Sequence, residues 1–133
     1  MKEMKKRILV VEDFASIRKF VCETLGRRGY ATIGASNMKE ALSLLELASD
    51  QIHLVLTDYN MPDGTGLDLL TLIKENDAIK NIPVIILTAD TNPDRIRMAK
   101  AAGLAAWVKK PYRAETLFTE IEQAIKGGCP HIV

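Results

Sequence analysis

Carboxylates, a hydroxyl and an ammonium follow four short apolar runs of this chain. Glu12–Asp13 follow Ile8 to Val11, Asp58 closes the stretch that begins with Ile52 to Leu56, Thr88 follows Val84 to Leu87, and Lys109–Lys110 follow Ala105 to Val108 just ahead of Pro111. Each has a structural explanation of its own. Glu12–Asp13 can cap a helix starting near Phe14 or Ala15, and Asp58 can form a turn ahead of Asn60-Met61-Pro62. Thr88 can be a plain strand end and Lys110 a surface cation. Together, however, they agree on a chemistry. Three gathered carboxylates repel one another, and some stay protonated unless a cation arrives. Oxygen donors without His or Cys suit Mg²⁺, with Mn²⁺ as the alternative, held by one or two carboxylates with several waters retained. A hydroxyl and an ammonium beside such an ion complete a binding site for a phosphoryl group.

These side chains meet only if the chain brings the ends of its apolar runs to one edge. The runs Ile8 to Val11, Ile52 to Leu56 and Val84 to Leu87, with the weaker Ala31 to Ala35 and Ala105 to Val108, are nearly continuous rather than alternating. That pattern suits strands covered on both faces, as in a parallel sheet. Helical spacing fills the gaps: Ile17, Phe20, Val21 and Leu25, ended by Gly26 or Gly29; Ala41, Leu44, Leu45 and Ala48, capped by Ser36 or Asn37; Leu67, Leu70 and Ile73; Ile96 and Ala99 after Pro93, ended by Gly103; and Leu117, Ile121, Ala124 and Ile125, closed by Gly127–Gly128. The alternation predicts an α/β fold, a doubly wound five-stranded parallel sheet with five helices. In such a sheet ligands bind outside the carboxyl ends of the strands, where four of the five ends carry a polar group and the second ends at Ala35.

Composition narrows the function classes. A chain of 133 residues is one domain, with a core expected over about residues 7–126 and a short tail over 127–133. Hydrophobic residues at 47% and charged residues at 26% match a globular chain, and 18 basic against 17 acidic residues lack the footprint of a direct nucleic-acid binder. The basic start meets an apolar run too short for a signal peptide or membrane insertion, and reads as a solvated lead-in to the first strand. Cys22 and Cys129 support neither a disulfide framework nor a zinc cluster, so a reducing, cytoplasmic setting is expected. His53 reads as a packed or exposed strand residue, and Cys129 with His131 are too few to hold a metal tightly.

The stretches Ile8-Leu9-Val10-Val11-Glu12-Asp13, Asp58-Tyr59-Asn60-Met61-Pro62-Asp63-Gly64-Thr65-Gly66, Ile85-Ile86-Leu87-Thr88-Ala89 and Lys110-Pro111 resemble the receiver (response-regulator) domain of bacterial two-component signalling, from about Arg7 to Lys126. Any one motif is weak; all four, in order and at strand ends, are specific. The resemblance implies a flavodoxin-like (CheY-like) strand order 2-1-3-4-5, whose switch point lies where Asp13 and Asp58 emerge.

The resemblance further implies that Asp58 takes a phosphoryl group from a phosphohistidine of a sensor histidine kinase or phosphotransfer protein. Asp13 and Asp58 would hold Mg²⁺ with the main-chain carbonyl of Asn60, and Glu12, longer than the Asp often found there, would act mainly through water. Lys110 would pair with the phosphoryl oxygens, across a Lys110–Pro111 bond eligible to be cis, while Lys109 faces elsewhere. Thr88 would move to the phosphoryl group and Trp107 follow it inward as the aromatic switch. Tyr or Phe is usual at that position and the indole is larger than either, so Trp107 as a fixed surface or core anchor stands as an equal alternative to the switch. Asn60 and Asp90 occupy the positions that tune the acyl phosphate's lifetime, implying fairly fast self-hydrolysis. A downstream protein target would bind the face of the fourth helix, fifth strand and fifth helix.

With no output domain after Lys126, a stand-alone receiver is expected, chemotaxis-like or phosphorelay-like, catalysing only its own phosphorylation and dephosphorylation. The alternatives are a receiver cut from a longer regulator or hybrid kinase, an aspartate-nucleophile phosphatase, a flavodoxin-like cofactor binder, and a degenerate receiver that scaffolds without phosphorylation. The phosphatase type wants Asp-x-Asp after the first strand, where Phe14–Ala15 follow Asp13. Acidic Glu12–Asp13 opposes a flavin phosphate loop, and the intact acceptor, metal, hydroxyl and lysine set opposes the scaffold.

Overall fold

The computed structural model describes residues 5–127 and 131–132. Six parallel strands form one sheet: β1 (Arg7–Val11), β2 (Ala31–Ala35), β3 (Leu54–Asp58), β6 (Val84–Thr88), β7 (Ala106–Lys109) and β8 (His131–Ile132), in the order β2-β1-β3-β6-β7-β8. The first five reproduce the expected 2-1-3-4-5 order; β8 extends it at the β7 edge. Two-residue strands β4 (Asn60–Met61) and β5 (Gly64–Thr65) make a separate antiparallel hairpin. Five helices connect the strands: α1 (Ala15–Arg27), α2 (Met38–Leu47), α3 (Gly66–Glu75), α4 (Pro93–Ala101) and α5 (Ala114–Ile125).

Side chains alternate across a strand, so each strand feeds both layers of core. Leu9, Val11, Val55, Val84, Ile86 and Trp107 pack with α2, α3 and α4 through Leu45, Leu70, Ile73 and Ala99. Ile8, Val10, Leu54, Leu56, Ile85 and Val108 pack with α1 and α5 through Val21, Leu25, Leu117 and Ile121.

Local chemistry sets the helix ends. Asn37 caps α2 by accepting from the Glu40 N–H, and Asn92 caps α4 ahead of Pro93. Thr65 and Asp68 form a reciprocal capping box on α3. Gly29, Gly103 and Gly127, just past α1, α4 and α5, have φ of 96°, 96° and 82°, the left-handed conformation that stops a helix at least cost with glycine.

Several expectations need correction. The third strand begins at Leu54, not Ile52, because the Ile52 N–H closes the end of α2 on the Ala48 carbonyl. It runs on through polar Thr57 and Asp58 because pairing is a main-chain matter. Of the first apolar stripe, Val21 and Leu25 are buried, but Ile17 and Phe20 lie on the surface at 44% and 62% exposure. Part of the expected tail is β8, while Gly128 and Cys129 lie outside the described residues.

Candidate functional site

The β1–α1 turn carries two of the acidic groups. Glu12 extends β1 by donating its N–H to the Ala35 carbonyl at 3.0 Å. Its side chain is 5% exposed and accepts the Phe14 N–H at Oε1, 3.1 Å away. Glu12 therefore does not cap α1, whose N-cap is Phe14, without a side-chain hydrogen bond. Asp13 is half-buried beside it.

Asp58, the last residue of β3, meets them at the carboxyl edge. One carboxylate oxygen each from Glu12, Asp13 and Asp58 lie within 4.8 Å of one another. Asp58 Oδ1 also accepts from Lys110 Nζ at 2.9 Å. Burial above all pushes the Glu12 carboxyl up to about 7; a hydrogen bond with Asp13 and the charge of Asp58 add to this, against the Phe14 N–H and Lys110. Such a group takes a hard divalent cation readily, since one ion relieves the repulsion of all three oxygens. The donor set thus fits Mg²⁺.

The other edge residues sit around this cluster. Lys110 precedes a cis Lys110–Pro111 bond and donates its N–H to the Thr88 carbonyl. Lys109 is exposed. Thr88 is buried, and its Oγ1 accepts the Asp90 N–H at 3.1 Å. The Asp90 carboxylate accepts from the Asn92 N–H and pairs with Arg95 at 2.6 Å. Asn60, the other residue expected to tune lifetime, is exposed in β4.

Trp107 is seated in the core, in keeping with the core-anchor alternative. Its side chain is 0% exposed, its indole N–H reaches the Asp90 carbonyl at 3.0 Å, and its ring centroid lies 5.8 Å from that of Tyr59. The α3 helix approaches Asp58 closely enough that a Cβ on Gly66 would lie 3.0 Å from the Asp58 carbonyl oxygen.

A model of the response regulator receiver domain matches residues 8–122. The chain belongs to this family. The receiver is 35% identical over 118 residues to the chemotaxis protein CheY of Pseudomonas aeruginosa, covering 88% of this chain and 94% of that one. It is equally identical to part of the CAI-1 autoinducer sensor kinase/phosphatase CqsS of Vibrio cholerae, where the match covers 88% of this chain and 17% of that protein. Among solved structures, the Vibrio cholerae chemotaxis protein CheY4 superposes with a TM-score of 0.83 at 30% identity, covering 91% of this chain and 99% of that one.

The receiver's edge thus gathers Glu12, Asp13, Asp58 and Lys110, with Thr88 on the neighbouring strand end. His53 lies at the opposite end of the sheet, where its Nδ1 accepts the Arg7 N–H at 3.0 Å. Sequence reasoning missed Tyr59 as the partner of Trp107, though an aromatic directly after Asp58 was a visible signal. It also missed Asp63, whose carboxylate accepts the Met38 and Lys39 N–H groups at the start of α2; those bonds, led by Met38, hold its carboxyl below the usual range. Beside Lys110 opens a groove of about 500 Å³ lined by Ile17, Phe20, Val21, Pro111, Tyr112 and Leu117. Among the described residues, no helix is long and apolar enough to cross a membrane.

Proposed function

We propose that Asp58 accepts a phosphoryl group from the phosphohistidine of a sensor histidine kinase or phosphotransfer protein. A carboxylate oxygen of Asp58 forms the new bond to phosphorus as the P–N bond breaks, and the imidazole nitrogen leaves with that electron pair. The observation carrying this reading is the 2.9 Å approach of Lys110 Nζ to Asp58 Oδ1 at the edge where Glu12 and Asp13 converge.

Asp13, Asp58 and the Asn60 main-chain carbonyl would hold Mg²⁺, with Glu12 acting through water. The ion supplies charge neutralisation for the transferring group, whose loose transition state spreads negative charge over its equatorial oxygens. Lys110 neutralises one of those oxygens, and the Thr88 hydroxyl donates to another once it releases the Asp90 N–H. The chain catalyses its own phosphorylation and dephosphorylation and turns over no other substrate.

The donor needs apolar surface within reach of Asp58, and the groove between α1 and the turn before α5 supplies it. The state of Asp58 is read through Thr88 and Trp107 by a protein target on the α4–β7–α5 face, at the edge where β8 pairs with β7. Residues 1–133 act as a single receiver domain in the cytoplasm, in a chemotaxis-like role, as the likeness to chemotaxis proteins supports.

Intact mass after incubation with acetyl phosphate, with and without Mg²⁺, tests the reading. One Mg²⁺-dependent phosphoryl adduct, absent from Asp58→Asn, is expected. No adduct, and no binding of beryllofluoride, would reduce the chain to a phosphorylation-independent scaffold. Repeated turnover of p-nitrophenyl phosphate would make it a phosphatase.

A further inference from the structure

The turn that carries Glu12 and Asp13 lacks the usual fastening of a helix start. Phe14 stands at the N-cap of α1 without a side-chain hydrogen bond, and the first turn holds no acidic residue. Besides the side-chain hydrogen bond between Glu12 and Asp13, three bonds bear on this turn instead. The Glu12 N–H bond to Ala35 holds only the strand end. The Phe14 N–H bond to Glu12 Oε1 draws on a carboxylate that faces the cation site. The third is from Arg18, whose Nη1 donates to the Glu12 carbonyl at 2.7 Å. It grips the peptide between the two acidic residues and consumes no carboxylate oxygen.

Arg18 reaches that carbonyl across β2 by way of Gly34. A Cβ at Gly34 would lie 3.1 Å from Arg18 Cδ and 3.3 Å from Nε. Gly34 is not among the residues with positive φ, so its backbone makes no demand for glycine. Glycine inside a strand weakens it; here the missing side chain is the passage for the arginine stem.

We propose that Arg18 is a positioning residue for the cation site, holding the Glu12–Asp13 peptide in the orientation that aims both carboxylates at Asp58, with Gly34 as its track. The inference rests on the Mg²⁺ reading given above. A charge-assisted bond to a carbonyl is stronger than a neutral one, and its removal leaves the Glu12–Asp13 peptide free to rotate away from Asp58.

The test is Mg²⁺ affinity by isothermal titration calorimetry, alongside the thermal midpoint of the metal-free protein and amide exchange at Phe14. Arg18→Met keeps the stem over Gly34 and removes the donors; it is expected to weaken Mg²⁺ roughly tenfold, speed exchange at Phe14 and leave the midpoint nearly unchanged. Arg18→Lys restores part of the affinity. Gly34→Ala, with Arg18 intact, weakens Mg²⁺ in the same direction and does nothing further in the Arg18→Met background. Equal affinities in wild type and Arg18→Met, or a Gly34→Ala effect of the same size in both backgrounds, would overturn the inference while leaving the Mg²⁺ reading intact. A wild type that does not bind Mg²⁺ would overturn both.

Discussion

The Trp107 indole N–H and the Thr88 hydroxyl hold opposite sides of one residue. The indole donates to the Asp90 carbonyl at 3.0 Å, and Thr88 Oγ1 accepts the Asp90 N–H at 3.1 Å. In the proposed switch the Thr88 hydroxyl turns to a phosphoryl oxygen, so Asp90 gives up one of the two bonds to its main chain while its carboxylate keeps Asn92 and Arg95, and the environment of the indole changes with it. Trp107 is the one tryptophan in the chain, so emission reports on this position alone. Beryllofluoride with Mg²⁺ is expected to shift or quench that emission in the wild type and leave Asp58→Asn unchanged. Unaltered emission despite a stoichiometric adduct would sever Trp107 from the acceptor.

Replacing Lys110 with Ala tests the other side of the acceptor. The Asp58 carboxylate survives, but the ammonium 2.9 Å away is lost. Removing one donor aimed at developing charge costs about 10²–10³ in rate. Phosphorylation by acetyl phosphate, followed by intact mass over time, should slow on that scale without the adduct moving from Asp58.

Glu12 imposes a pH dependence on the metal-free protein. Its carboxyl is raised from 4.5 to about 7 in the fold, mainly by burial. Between those values the unfolded chain has released the proton and the folded one keeps it. Stability from this group is therefore complete below the unfolded value and declines as pH rises towards 7. Urea unfolding without Mg²⁺ should show this decline in the wild type and a flatter profile in Glu12→Gln. Parallel profiles would mean that Glu12 ionises in the fold as it does in the unfolded chain.

Gly66→Ala discriminates close packing from helix propensity. A methyl group there would meet the Asp58 carbonyl oxygen at 3.0 Å and Ile86 Cγ1 at 3.3 Å. Overpacking of this kind costs about 1–3 kcal/mol, whereas propensity alone would stabilise a helix by up to about 1 kcal/mol. Urea unfolding should show a net loss, with slower phosphorylation as Asp58 shifts. A gain in stability would show that the α3 start has room to spare.

Most of the fold was legible because a sheet covered on both faces leaves long apolar runs, and helix ends leave Asn, Pro and Gly. The acidic, hydroxyl and lysine groups of the site were legible because parallel strands bring their carboxyl ends to one edge. Other features were not. That Ile17 and Phe20 continue the α1 stripe onto the surface depends on where α5 lies, which periodicity does not carry. The passage of Arg18 over Gly34 is a contact with a missing side chain, and a lone glycine in a strand has many causes. The strands β4, β5 and β8 are two residues each, below the length at which alternation can be read. The inward seat of Trp107 depended on Tyr59 and on the Asp90 carbonyl, a main-chain acceptor that no residue type announces.

The alternation of side chains through the sheet makes it a bulkhead. The groove along α1 belongs to the compartment of Ile8 and Val10, while Trp107 belongs to that of Leu9 and Val11. A sender in the groove and a sensor of the indole's compartment, as proposed, would meet opposite layers of the wall and share only the start of α5, whose Ala114 and Leu117 line the groove. The message would then pass from one layer to the other round the rim at Asp58, where the wall ends.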